Sequence, residues 1–175
     1  MNDVIKVLKE RRSSRKYLDK MPADEELNAI IEAGLRAPSG MNKQGSIILC
    51  IKDKELRDKL EMINAKIATG RYDGKPFYNA PVVFVVLYDK SVGTGIYDAT
   101  LTAGNMLNAA YSLGLGSCWI HRAKETFESP EWKELLKSFG LEGEYEGVAN
   151  VIVGYNDPSH KPFEKAIKEN RIYVK

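Results

Sequence analysis

The stretch that most limits the possible folds of this chain is an apolar run from Pro81 to Leu87, which reads PVVFVVL. Successive side chains of a strand point to opposite faces, so a strand that is apolar at every position must be covered on both sides. The run therefore predicts the central strand of a sheet packed between layers of helices. It is far shorter than the ~20 apolar residues that a membrane-spanning helix needs.

The remaining elements follow from shorter patterns. Apolar runs predict further strands over residues 46–51, 117–121 and 148–153. Apolar residues at helical spacing predict helices over residues 3–11, 24–37, 53–68, 96–113 and 132–139. Loops are expected over residues 16–22, 38–45 and 69–80, and a polar tail from Asn156 that could reach a partner chain. Helices and strands do not alternate regularly, so we expect the α+β class, with one mixed sheet layered with helices.

Composition limits the partners and the setting. A length of 175 residues suits a single domain, residues 1–175. The net charge is only +2, from 26 basic and 24 acidic residues, so neither nucleic acid nor a membrane is an expected partner. Cys50 and Cys118 do not make a disulfide framework, and the N-terminus lacks the apolar core of a signal peptide. A reducing, cytoplasmic setting is therefore expected.

Three arginines and two serines are concentrated in the pentapeptide Arg11–Arg15, directly after the first predicted helix. Arg11 and Arg15 would share one side in either a helix or a strand, with Ser13 between them in the strand. Guanidinium groups match the geometry of a phosphate, so the pentapeptide could form an anion cradle. It could equally be a solvated basic helix end, because cations suit a helix C-terminus. Taken alone, the pentapeptide favours the second interpretation.

Side chains that could carry out catalysis by themselves are hard to find in this sequence. Gly93–Gly95 follows a strand, as a dinucleotide fingerprint should, but Asp98 occupies the third glycine position and would repel a pyrophosphate. Cys118 and His121 have a spacing compatible with a metal site or a thiol–imidazole pair. Residues three apart on a strand point to opposite faces, so Cys118 is interpreted as a small buried residue. An anion cradle without catalytic side chains suggests that a bound cofactor performs the chemistry.

Four stretches, in order along the chain, resemble motifs of the nitroreductase family. Arg11–Arg15 resembles its flavin-phosphate motif, and Ala37–Gln44 resembles its A-P-S-x-x-N-x-Q loop. Gly114–Ile120 resembles its G-L-G-S-C-W segment, and Val153–Tyr155 its V-G-Y segment. The resemblance implies a nitroreductase-like α+β fold with a mixed, mainly antiparallel sheet. It also implies a homodimer of the domain-swapped type, with two FMN molecules at the subunit interface.

The resemblance further implies three groups of FMN-binding residues and no catalytic side chain. Those expected to hold the phosphate and ribityl chain are Arg11, Arg12, Ser13 and Arg15. Those expected to approach the isoalloxazine from the partner subunit are Pro38, Ser39, Gly40 and Asn42. Backbone lining the other side of the ring would come from Leu115, Gly116 and Ser117. A basic residue of the tail would complete the phosphate site, either His160 or Lys161, and charge favours Lys161.

The implied activity is ping-pong electron transfer from NADH or NADPH, through FMN, to a small acceptor such as a nitroaromatic or a quinone. Two alternatives are a flavin-binding or storage module without turnover, and an enzyme of related fold that dehalogenates a substrate or rearranges the flavin. The chain departs from many family members in reading Gln44-Gly45-Ser46 where they have Q-P-W. Residues 70–80 leave little room for an inserted lid, so an open substrate pocket is expected.

Overall fold

A computed structural model describes residues 2–68 and 74–175, so part of the loop expected over residues 69–80 lies outside the described residues. The helices are α1 Asp3–Glu10, α2 Asp24–Leu35, α3 Lys54–Ile67, α4 Gly95–Ser112, α5 Ala123–Phe127 and α6 Pro130–Ser138. The strands are β1 Ser46–Ile51, β2 Val82–Asp89, β3 Gly116–Ile120 and β4 Tyr145–Gly154. A single turn of 3₁₀ helix covers Gly40–Asn42.

The four strands form one sheet in the order β1-β2-β4-β3, and every neighbouring pair is antiparallel. The expectation of a mainly antiparallel sheet is confirmed, whereas that of a mixed sheet is wrong for these four strands. A parallel pairing occurs at an isolated bridge between Ser13 and Ser117. The helix between β1 and β2 does not by itself fix whether the two strands are parallel, because the loops on either side of it can return the chain in either direction.

The sheet separates two apolar layers, and β2 contributes to both. Val82, Phe84 and Val86 pack towards α2 and α4, whereas Val83 and Val85 pack towards α3, α5 and α6. All of these side chains are completely buried. The predicted central strand, covered on both faces, is confirmed.

Two details of the fold were not predicted. Helix α5 has only five residues, which is too short to show an apolar period. Strand β4 begins at Tyr145, three residues before the predicted start, because its first residues are only partly buried and do not form an apolar run. In the described part of the chain, no helix is both long and apolar enough to cross a membrane.

Gly147 lies where the pairing of β2 with β4 shifts register, so that Val148 is an extra residue in β4. A Cβ atom on Gly147 would collide with backbone atoms of Ala123, which cannot rotate away as a side chain would. We expect Gly147→Ala to lower the free energy of unfolding by about 1–3 kcal/mol, the usual effect of overpacking. Urea denaturation measures this change. Gly93→Ala is the matched control, because nothing lies within 4 Å of a Cβ at that position, and an equal loss there would contradict the steric explanation.

Candidate functional site

The segment after α1 lies beside the start of β3 and the end of β4. The Ser14 amide donates a hydrogen bond of 2.9 Å to the carbonyl of Ser117, and Ser13 forms the bridge to the same residue. Further along, the Leu18 amide donates to the Tyr155 carbonyl at 2.9 Å. These backbone contacts fix the arginine cluster against the edge of the sheet.

A cavity of about 340 Å³ lies at this cluster. It is lined by Arg11, Arg12, Ser13, Arg15 and the tail residues 163–165. The predicted phosphate-binding side chains therefore converge on one open space. The predicted tail residues His160 and Lys161 are not among the residues that line it, whereas Lys165 is.

The three arginines have different environments. Nη1 of Arg12 donates to the carbonyls of Lys9 at 2.7 Å and of Arg11 at 2.8 Å, so this side chain satisfies the C-terminal end of α1. Nη1 of Arg11 is buried and has no hydrogen-bond partner among the described residues. Arg15 is exposed at the cavity. The interpretation as a basic helix end thus suits Arg12, and the anion cradle suits Arg11 and Arg15.

Buried groups form the support beneath the cradle. Ser14 is buried and its hydroxyl donates to Oδ1 of Asn156 at 2.5 Å, while the Tyr17 hydroxyl donates to the Ser14 carbonyl at 2.8 Å. Burial raises the pKa of Tyr17 above its ordinary value, so the phenol stays protonated. Burial also raises the pKa of Cys118, although Ser13, Arg15 and Arg11 act in the opposite direction.

Cys118 is a free thiol with only 3% of its surface exposed, and the interpretation as a small buried residue is confirmed. His121, in contrast, is exposed beyond the end of β3. Within residues 2–68 and 74–175, no three His, Cys, Asp or Glu side chains come together as a metal ion would require.

The tail passes the cradle on its way to the C-terminus. The His160 amide donates to the Asp157 carbonyl at 2.8 Å, and its Nε2 is buried without a hydrogen-bond partner in the described chain. Lys161 is exposed. Lys165, which lines the cavity, was missed by sequence reasoning, because a tail without regular structure gives no spacing from which to choose among its lysines.

The loop implied to reach a partner's flavin is anchored elsewhere, at the start of α4. The Gly40 amide donates to Oδ1 of Asp98 at 3.1 Å, and the Thr94 hydroxyl donates to Oδ2 of the same carboxylate at 2.9 Å. Asp98 is only 5% exposed. Asp98, the residue that argued against a dinucleotide fingerprint, therefore holds this loop. A buried carboxylate in the first turn of an apolar helix could have suggested such a role.

Backbone strain is concentrated in the same loop. Met41, Asn42 and Gln44 have φ values of 50°, 55° and 50°, a left-handed region that non-glycine residues rarely occupy. The Ser39 hydroxyl accepts from the Gln44 amide at 3.1 Å, and Oδ1 of Asn42 accepts from the Gln44 side chain at 3.0 Å. Such strain persists only where surrounding contacts hold it, and it is frequent at binding sites. Pro38 precedes this turn as its rigid entry.

The third predicted group, Leu115 to Ser117, lies beside the cradle. Leu115 and Ser117 are each 1% exposed. A Cβ on Gly116 would collide with the Asn156 side chain and would lie 2.8 Å from Cβ of Ser14. Glycine at position 116 thus permits the close approach between β3 and the cradle segment.

A second cavity, of about 310 Å³, lies at the other end of β3. Its lining includes Ile96 from α4, Trp119 and His121 from the end of β3, Arg122, and Glu146 from β4. Ser13 of the first cavity is bridged to Ser117 near the start of β3, whereas the second cavity is reached from Trp119 at its far end, so the two cavities lie towards opposite ends of this five-residue strand. Sequence reasoning considered His121 for a metal site or a thiol–imidazole pair with Cys118, and missed this cavity.

Comparison with known proteins decides the family. The profile described as the nitroreductase family matches residues 8–155 of this chain. The chain belongs to the nitroreductase family. The resemblance of the four motifs is thereby confirmed as a family relationship.

Individual members of the nitroreductase family resemble the chain to different extents. It is 35% identical to the FMN reductase [NAD(P)H] of Bacillus subtilis, and the match covers 98% of this chain and 71% of that protein. It is 30% identical over 121 residues to a protein of Methanothermobacter thermautotrophicus named as an NADH dehydrogenase/NAD(P)H nitroreductase. That match covers 67% of this chain and only 60% of the relative.

A solved member of the family supports the fold. The nitroreductase of Bacteroides fragilis, whose crystal structure contains bound FMN, superposes with a TM-score of 0.88. It is 30% identical, and the match covers 99% of both chains. The expected nitroreductase-like α+β fold is confirmed, with a four-stranded antiparallel sheet.

Proposed function

We propose that this chain is an FMN-dependent oxidoreductase that uses NADH or NADPH to reduce a small acceptor. The observation that carries the proposal is the buried Nη1 of Arg11, which lacks a partner among the described residues and belongs to a side chain that lines a cavity with Ser13 and Arg15. A buried guanidinium donor without an acceptor is costly, and a phosphate would satisfy it. The FMN bound in the Bacteroides fragilis relative carries such a phosphate.

The remaining groups at the cavity fit the same ligand. Ser13 offers a hydroxyl, Arg15 a second guanidinium, and Lys165 a further positive charge from the tail. His160 lies outside the lining of the cavity, although its buried Nε2 also lacks a partner in the described chain. Glu164 also lines the cavity and opposes an anion, so we assign the phosphate to the side of Arg11 and Arg15.

The flavin would extend from the cradle along β3, with its ring system towards the cavity at His121 and Arg122. Leu115, Gly116 and Ser117, which were expected to line the ring, lie beside the cradle and would then be nearer to the phosphate end of the ligand. The two cavities lie towards opposite ends of β3, so an elongated ligand that lies along this strand would reach both. When bound, FMN supplies the chemistry of hydride acceptance and onward electron transfer. The protein's residues neutralise the phosphate, orient the ring and leave one face open to donor and acceptor.

We also propose that the functional unit is a homodimer. The Pro38–Gln44 loop is anchored at Asp98, away from the cavity at the cradle, and its Met41 side chain is 86% exposed. A second copy could bring this strained, exposed loop against a flavin held by the first. The acceptor, proposed as a nitroaromatic or a quinone, would then enter from the solvent side.

The proposal is tested by the purified protein with FMN. We expect a yellow protein whose flavin absorbance is bleached within seconds by NADH or NADPH without oxygen, and is restored by a quinone or a nitroaromatic. Colour without bleaching would favour a flavin-binding module without turnover. Restoration by a halogenated phenol alone would favour a dehalogenating enzyme, and a colourless protein that takes up no FMN would contradict the proposal.

A further inference from the structure

Three buried polar side chains, from three different elements, converge on the turn formed by His121 and Arg122. The His121 carbonyl accepts hydrogen bonds from Nδ2 of Asn64 at 2.8 Å and from Nδ2 of Asn150 at 3.4 Å. The Arg122 carbonyl accepts from the Thr126 hydroxyl at 2.9 Å. All three donors are completely buried. Two consecutive carbonyls are thus held from inside the protein.

Stability alone does not explain this arrangement. The Oδ1 atoms of Asn64 and Asn150 are buried and have no hydrogen-bond partner among the described residues. Each asparagine therefore places an unsatisfied acceptor in an apolar interior, and a leucine of similar size would avoid that penalty. Polar groups that work against the packing of a core are expected where function requires them.

The turn held in this way is strained and borders a cavity. Arg122 has a φ of 75°, in the left-handed region, although it is not a glycine. Both His121 and Arg122 line the cavity at the end of β3. The buried donors therefore fix the position of a cavity wall that the backbone would not adopt by itself.

We propose that Asn64, Thr126 and Asn150 are positioning residues, which hold the His121–Arg122 turn as the wall against which the ring system of the flavin binds. This inference rests on the proposed function, because it takes the ligand of the cavity to be FMN. None of the three side chains touches the cofactor. They act through the two carbonyls, and so through the shape of the turn.

Effects on the binding of the ring can be distinguished from effects on the binding of the phosphate by comparing FMN with riboflavin, which lacks the phosphate. The variants are Asn64→Leu, Asn150→Leu and Thr126→Val, and the control is Thr102→Val, which removes a buried hydroxyl from α4 on the other face of the sheet. We expect the three variants to bind both flavins about tenfold more weakly than the wild type, by an equal factor, as loss of one or two hydrogen bonds implies. The control should bind both normally.

The midpoint potential of the bound flavin provides a readout that a purely structural role would not change. We expect it to shift in the three variants and to stay at the wild-type value in Thr102→Val. Folded variants with wild-type flavin affinities and potential would overturn the inference. If the asparagine variants fail to fold, the flavin affinities and midpoint potential of Thr126→Val test the inference alone, because valine has the same shape as threonine. A wild-type protein that binds neither flavin would contradict the proposed function itself, and the inference with it.

Discussion

Replacing Arg11 and Arg15 together by alanine is expected to abolish retention of FMN during purification while the protein remains folded. Hydrogen bonds to a charged group contribute about 1.5–3 kcal/mol each, so losing two should weaken FMN binding by about 100-fold or more. Arg15 is exposed, and Nη1 of Arg11 has no hydrogen-bond partner in the described chain. The two truncations are therefore expected to leave the fold intact. Fluorescence titration of FMN measures the loss, and circular dichroism measures the fold.

Two arginine variants serve as controls. Arg12→Ala removes hydrogen bonds to the carbonyls of Lys9 and Arg11, so it should destabilise the end of α1 and weaken FMN binding less than the double variant does. Arg36 pairs with Glu32 on the exposed surface of α2, and Arg36→Ala should leave FMN binding unchanged. The double variant should also keep any affinity for riboflavin. Undiminished FMN occupancy in the double variant would refute the cradle.

The layered fold could be predicted from sequence because its central strand is apolar at every position. Val82 to Leu87 required cover on both faces, and the structure provides it. The apolar pattern alone did not predict the direction of the strands, because a continuous apolar run reports cover on both faces, which here belongs to an antiparallel sheet. Only the family resemblance implied a mainly antiparallel sheet. Helix α5 escaped detection because its five residues are fewer than two helical turns.

The site was predictable where its residues are neighbours in the sequence. Arg11–Arg15 carries its chemistry within one pentapeptide, and the structure gathers it around one cavity. The residues that were missed act across long separations. Asn64 holds a carbonyl 57 residues away, and Asp98 holds the Gly40 amide 58 residues away. A polar residue on an apolar face signals such a role, but only the fold identifies its partner.

Introducing glutamate at Val4 and Leu8 is expected to convert a dimer into a monomer and to reduce FMN binding. Val4 and Leu8 are four residues apart on α1, are 64% and 54% exposed, and form one apolar stripe with Ile5. Helix α1 buries none of its residues and lies against α4, which exposes Tyr97 and Leu101. An apolar surface shared by two helices is typical of an interface with a second copy.

The size of the effect follows from symmetry. In a two-fold dimer both copies lose the same contacts, so two substitutions remove four buried side chains, each contributing about 1.5 kcal/mol or more. We therefore expect the dissociation constant of the dimer to rise by at least about three orders of magnitude. Analytical ultracentrifugation at micromolar protein concentration should detect the monomer.

The matched control places the same charge on the opposite layer of the molecule. Met62 is 62% exposed on α3, the helix that packs on the other face of the sheet from α4. Met62→Glu should therefore leave both the dimer and FMN binding unchanged. If the α1 variant is monomeric yet binds FMN with wild-type affinity, the loop at Asp98 does not complete a partner's site, and each flavin belongs to one chain. If that variant remains dimeric, α1 lies outside the interface, and the exposed stripe needs another explanation.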